Sequence, residues 1–178
     1  MNDDPDLGRR FGGLNRLYGD GAHAFLNQDV HAMVVGVGGV GSWAAEALAR
    51  SGIGRITLVD MDHVAESNIN RQIQACDTTL GQEKIKALAD HIHSYFPQCQ
   101  ITLVDAFLEP DNAQTLLTEF SATPGKYKVL LDCCDNVRAK VAMALVAARL
   151  NISVVLSGSA GGKTKPWLVQ PADLRDTT

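Results

Sequence analysis

The sequence predicts a doubly wound, Rossmann-like α/β fold, a mainly parallel sheet with helices on both faces. Three observations carry that prediction. Short, β-branched apolar runs alternate with amphipathic helical runs along the chain. A G-x-G-x-x-G loop, Gly36-Val-Gly38-Gly39-Val-Gly41, follows the first of those strands and opens the next helix. An acidic residue, Asp60, ends the following strand about 20 residues later, where such folds hold a ribose.

Five strands are expected, at residues 32–37, 55–60, 101–104, 128–132 and 152–156, each short and apolar as strands buried on both faces should be. Good helix formers fill 42–51. Over 83–96, Ile85, Leu88, Ala89, Ile92 and Phe96 share one helical face, and Pro97 stops the helix. A weaker helix starts at Pro110 and runs to 120. Residues 136–150 place Val137, Val141, Ala144, Leu145 and Ala148 on one face, predicting the buried side of a further helix. Gly158, Gly161 and Gly162 make a turn, and Trp167 to Val169 reads as one more strand. Residues 1–30 form an N-terminal helical arm, and 31–178 a nucleotide-binding domain. The last residues bring no closing element, so the chain is expected to be a fragment of something longer.

Composition narrows the class. The 178 residues are 46% hydrophobic and 20% charged, enough for one domain to bury a core without disulfides. A net charge of −4 excludes a generally basic nucleic-acid coat. No apolar run approaches the ~18 residues of a membrane span, and the acidic start is no secretory signal. The four cysteines, Cys76, Cys99, Cys133 and Cys134, form no C-x-x-C pair. That usage fits a reducing cytoplasm and gives no zinc site.

The residues after the glycine loop carry the chemistry. Gly36 permits a tight turn, Gly38 and Gly39 let backbone approach a phosphate, and Gly41 allows close helix–strand packing. The loop from Met61 to Gln72 is rich in amide, acid and guanidinium groups, with Asp62, Asn68 and Arg71 among them. Lys84 follows at the start of the next helix, where the dipole already favours an anion. Arg71 and Lys84 favour a triphosphate over a dinucleotide, because a triphosphate's roughly four negative charges need cations and a divalent metal. The fourth strand ends in Asp132-Cys133-Cys134-Asp135, at the crevice shared with the first strand. One of the two acids is a Mg²⁺ candidate, and Asp135 also reads as the N-cap of the helix that follows.

Together, GVGGVG, D-M-D-x-V-x-x-S-N-x-N-R-Q, G-Q-x-K and D-C-C-D-N resemble the ThiF/MoeB/HesA superfamily, which shares its adenylating domain with ubiquitin-activating enzymes. The resemblance implies ATP-dependent activation of a carboxylate. It implies that Asp60 binds the ribose, that Asn68, Arg71 and Lys84 contact phosphates, and that Asp135 holds Mg²⁺. It also implies a homodimer in which Arg16 reaches the partner's ATP, with Arg10 a weaker claimant.

The RFGGxxRLYG start and the SGSAGGKxxP turn resemble the branch that dehydrates threonylcarbamoyladenosine in tRNA. That branch implies tRNA as substrate, bound through a patch around Arg9, Arg10 and Arg16 or through further chain, and sulfur-transfer proteins as partners. Two alternatives stay open. One is an adenylyltransferase for the C-terminal glycine of a ubiquitin-like sulfur carrier, disfavoured by the missing C-x-x-C after residue 169. The other is a non-catalytic nucleotide-binding subunit, which would not need Asp60, Asn68, Arg71, Lys84 and Asp135 together.

Overall fold

The computed structural model describes residues 5–158 and 161–176. The acidic first residues, and Ser159 and Ala160 of the expected glycine turn, lie outside the described residues.

Five parallel strands form one sheet in the order β3-β2-β1-β4-β5. They are β1 (Val30–Val35), β2 (Arg55–Val59), β3 (Gln100–Val104), β4 (Tyr127–Asp132) and β5 (Ser153–Leu156). The chain runs outward from β1 on one side and then returns to build the other, so β1 and β4 part at their carboxyl ends and leave a crevice. Residue alternation sorts β1 between two cores. Val30, Ala32 and Val34 face helices α4 (Gly41–Arg50) and α5 (Lys84–Tyr95), while Met33 and Val35 face α6 (Ala113–Ala122) and α7 (Val137–Arg149).

The face expected for α5 is the one buried: Ile85, Leu88, Ala89, Ile92 and Phe96 all lie in the first core. The face expected for α7 is not. Ala139, Met143, Val146 and Ala147 are buried, whereas Val137, Val141 and Leu145 are exposed. The α7 sequence is apolar on more than one side, and only packing against the sheet chooses among them. The side carrying Ala139, Met143, Val146 and Ala147 is selected, which also brings Lys140 to the end of β4.

Three short helices precede the sheet: α1 (Leu7–Phe11), α2 (Gly13–Tyr18) and α3 (Ala22–Gln28). They pack at the amino ends of the strands. Phe11 meets Phe96 with ring centroids 4.8 Å apart, and Asn27 closes on Gly54, just before β2.

Other boundaries shift for local reasons. β1 ends at Val35, short of the expected 37, because Gly36 takes φ +82° and turns the chain. Val37 then donates its N–H to Asp60 instead of to a neighbouring strand. The weaker helix begins at Ala113, after a turn in which Asn112 Oδ1 accepts the Glu109 N–H, and runs on to Ala122. The strand expected at Trp167 to Val169 is absent. Pro166–Leu168 is a 3₁₀ turn started by Pro166, closed by Leu168 N–H to Lys165 O, with no strand alongside it among the described residues.

Candidate active site

At the carboxyl ends of the strands lies a cleft of about 700 Å³, floored by the glycine loop. Its size is that of a small-molecule site. The loop has a fixed shape. A Cβ on Gly41 would lie 1.7 Å from the Gly36 carbonyl oxygen, so no side chain can exist there. A Cβ on Gly38 would meet nothing closer than Gln72 Nε2 at 3.9 Å. Gly38 thus faces open space, and its missing side chain leaves room for a ligand. No side chain caps α4; the Ser42 N–H at its start is taken by the Gly38 carbonyl at 3.0 Å, so it is the loop backbone at Gly38 and Gly39 that faces the cleft.

Asp60 closes the loop from the other side. Its Oδ2 accepts the Val37 N–H at 2.8 Å and its Oδ1 the Asp62 N–H at 2.9 Å. Each oxygen keeps a lone pair for a ribose hydroxyl. Gln74, buried beneath, donates to the Val37 carbonyl at 2.9 Å and fixes the turn from below.

The cations expected from sequence stand at this cleft. The Arg71 side chain crosses the loop, its Cδ 3.4 Å from where a Gly39 Cβ would be. Its guanidinium donates to the Ser67 carbonyl and to Asn70 Oδ1, and its own carbonyl accepts the Trp43 indole N–H. Lys84 is almost buried, and its Nζ pairs with Asp62 Oδ2 at 2.8 Å, leaving two ammonium protons for a further acceptor. Asn68 does not line the cleft. It is buried, and its Oδ1 accepts the Ala65 N–H, folding the loop that carries Arg71.

Across the cleft the two acids of β4 separate. Asp132 is fully buried; its Oδ2 pairs with Lys140 Nζ at 3.0 Å and its Oδ1 accepts the Cys134 N–H. Lys140 also donates to the Ser157 carbonyl, tying β4 to the end of β5. Asp135 is exposed at the cleft wall, with no ion pair among the described residues. It is not the N-cap of α7. Asn136 fills that position, accepting the N–H groups of Arg138 and Ala139.

Among the described residues no three metal-binding side chains cluster. A Mg²⁺ held here would therefore take Asp135, phosphate oxygens and water, as a hard, reluctantly dehydrated cation does. An open glycine cradle, a carboxylate with spare lone pairs and two cations at one cleft fit a magnesium nucleotide.

The cysteines do not fit covalent chemistry in this cleft. Burial pushes the Cys133 and Cys134 thiols up to about 11, and the Asp132 carboxylate adds to it. Both stay protonated and poorly nucleophilic at neutral pH. Cys76 is exposed, its pKa lowered by the Thr78 and Thr79 hydroxyls, but it is not at the cleft wall.

Arg16 lies in α2, exposed, at the opposite end of the sheet from the cleft. The patch around Arg9, Arg10 and Arg16 shares that end, and Arg10 is engaged there with the Tyr95 carbonyl.

Sequence reasoning missed Gln74 and Lys140. Gln74 follows the Arg71-Gln72 pair at a spacing no motif marks. Lys140 lies within a helix, and no motif marks it; only the approach of β4 gives it a partner in Asp132.

Fold and site define a doubly wound α/β protein with a glycine-floored cleft whose chemistry suits phosphates. The chain belongs to the ThiF family, which its residues 16–175 match. It is 45% identical over 169 residues to the tRNA threonylcarbamoyladenosine dehydratase of Escherichia coli K12, covering 95% of this chain and 60% of that protein. It is 37% identical over 113 residues to the molybdopterin-synthase adenylyltransferase of Salmonella typhimurium, covering 64% of this chain and 43% of that one. The crystal structure of the E. coli dehydratase in complex with ATP matches with a TM-score of 0.88 at 41% identity, over 99% of this chain and 70% of that one. The chain thus spans about 60% of the length of the Escherichia coli and Haemophilus influenzae dehydratases it matches.

Proposed function

We propose that this chain is the ATP-binding, carboxylate-activating part of a tRNA threonylcarbamoyladenosine dehydratase. One observation carries the reading: Asp60, Arg71 and Lys84 meet at an open glycine cradle in a chain 45% identical to an E. coli enzyme of that name. Bound with Mg²⁺, ATP would supply the phosphorus electrophile that turns a free carboxylate into a mixed anhydride, with diphosphate or ADP leaving. A nucleophile on the same side chain would then attack the carbonyl carbon, lose its proton and expel AMP or phosphate, which carries off the carboxylate oxygen, for a net loss of water from the substrate.

The chain's own residues do the rest. Backbone N–H groups of the loop at Gly38 and Gly39 take the phosphates. Arg71 and Lys84 offset their charge, most strongly as it redistributes during transfer. Asp60 orients the ribose, and Asp135 holds the metal. Holding the reacting side chain folded against the cleft supplies much of the acceleration, since intramolecular attack reaches effective molarities of about 10⁵ M or more. No protein nucleophile is needed, in keeping with the protonated Cys133 and Cys134. In this reading residues 1–30 are an arm and 31–178 the ATP-binding domain of a cytoplasmic homodimer, with Arg16 reaching the second copy's cleft. The distance of Arg16 from its own cleft supports action on another copy.

The test is a mass measurement on nucleosides from tRNA incubated with ATP and the full-length protein. Loss of one water from threonylcarbamoyladenosine supports the reading. AMP transfer to the C-terminal glycine of a small carrier protein, with tRNA unchanged, would replace it with the adenylyltransferase.

A further inference from the structure

Charge is segregated along this chain. From residue 136 to 172 there is no Asp or Glu, yet five cations occur: Arg138, Lys140, Arg149, Lys163 and Lys165. All 20 acidic residues fall outside that stretch. The fold then divides the five. Lys140 is used inside the protein by Asp132. Arg149 ends α7, about 16 Å along the helix from Arg138 and away from the cleft. The remaining three lie within two to four residues of side chains or backbone that line the cleft. Arg138 is two residues from Asn136, and Lys163 two residues from Gly161, both of which line the cleft. Two residues of chain reach about 7 Å at most. Lys165 follows within about 14 Å of Gly161 by the same measure. All three are exposed, and none forms an ion pair among the described residues.

We propose that Arg138, Lys163 and Lys165 form the RNA-docking rim of the cleft, gripping phosphates of the strand that delivers the modified adenosine. This rests on the dehydratase reading and adds where the polyanion binds. A reacting carboxylate in the cleft forces the RNA backbone past the cleft mouth. In a chain of net charge −4, only a local excess of cations draws a polyanion there. Arg9, Arg10 and Arg16 cannot serve the same chain's cleft, because the length of the strands, about 20 Å, separates them from it.

The experiment uses the full-length protein and unmodified-length tRNA carrying threonylcarbamoyladenosine. In an R138E/K163E/K165E variant, the tRNA KM should rise at least about tenfold, and the slope of log affinity against log salt should fall by about 3. ATP affinity should stay within about twofold, which shows that the variant folds. A variant with charge reversals at the far end and outside the N-terminal arm, K126E/R149E, should bind tRNA as the unmodified protein does. Unchanged tRNA affinity and salt slope in the rim variant overturn the proposal, as do equal losses in both variants. Failure of the unmodified full-length protein to dehydrate tRNA at all removes the dehydratase reading instead. Retained tRNA binding with lost affinity for an acidic partner protein assigns the rim to that protein and rejects the RNA.

Discussion

Lys84 shows how one side chain serves both the fold and the cleft. Its stem is buried in α5 while its ammonium meets Asp62 at 2.8 Å and still has protons to give. Replacing Lys84 or Arg71 by Ala should weaken ATP-dependent turnover by about 2 kcal/mol or more, through lost charge-assisted contacts to phosphate. Steady-state kinetics at saturating second substrate check this, and unchanged constants in both variants remove the pair from the site. His31 makes a different case. Its ring is buried between Thr57 and the Thr123–Pro124 turn, where Nε2 meets the Thr57 hydroxyl and Nδ1 the Thr123 hydroxyl and Pro124 carbonyl. Burial holds its pKa down from 6.5 to about 4. The unfolded chain therefore takes up this proton at a higher pH than the folded one. The stability tied to neutral His31 is fully present above pH 6.5 and declines as pH falls towards 4. Urea midpoints at pH 7 and pH 5 should draw closer together in H31Q than in the unmodified protein.

At the scale of elements, two polar clusters join what the cores do not. Glu46 on α4 accepts from Arg50 and from the Tyr95 hydroxyl of α5 at 2.7 Å, with His91 Nε2 3.2 Å away. These are the helices whose first turns carry the glycine loop and Lys84, so the cluster holds their spacing. On the other side, the Asp132–Lys140 pair joins β4, α7 and the end of β5. Removing one partner leaves a buried charge alone. K140M should therefore destabilise the protein by about 3–5 kcal/mol, and adding D132N should recover most of that loss. Chemical denaturation of the two variants decides it; a double variant no better than K140M alone refutes the account of the loss as an uncompensated charge.

At the scale of the whole molecule, Arg16 lies at the far end of its own sheet from the cleft in which the proposed function gives it a role. If it acts across a dimer, mixing R16A with D135A protein should restore up to about a quarter of the activity, the share of sites left intact by random pairing of a C2 dimer. Mixed dimers must be verified by native mass spectrometry, and their inactivity would assign Arg16 elsewhere. The exposed stripe of Val137, Val141 and Leu145 on α7 belongs to the same scale. Periodicity alone assigned it to the core, because a helix apolar on two sides gives no local signal of which side the sheet will take.

The sequence by itself determined the five-stranded sheet, the glycine loop and the cations around it. Strand and helix periods are local, and the glycines, Asp60, Arg71 and Lys84 sit in motifs whose spacing follows from one strand–loop–helix unit. Tertiary structure alone decided matters that join distant segments. It set the inward side of α7, the capture of Asp132 by Lys140 that leaves Asp135 free, and the use of Asn68 as a loop fold. It also turned Trp167 to Val169 away from a strand, because a strand forms only where another edge lies beside it to share its hydrogen bonds. Those outcomes depend on which surfaces meet in space, and no pattern within a single element encodes that.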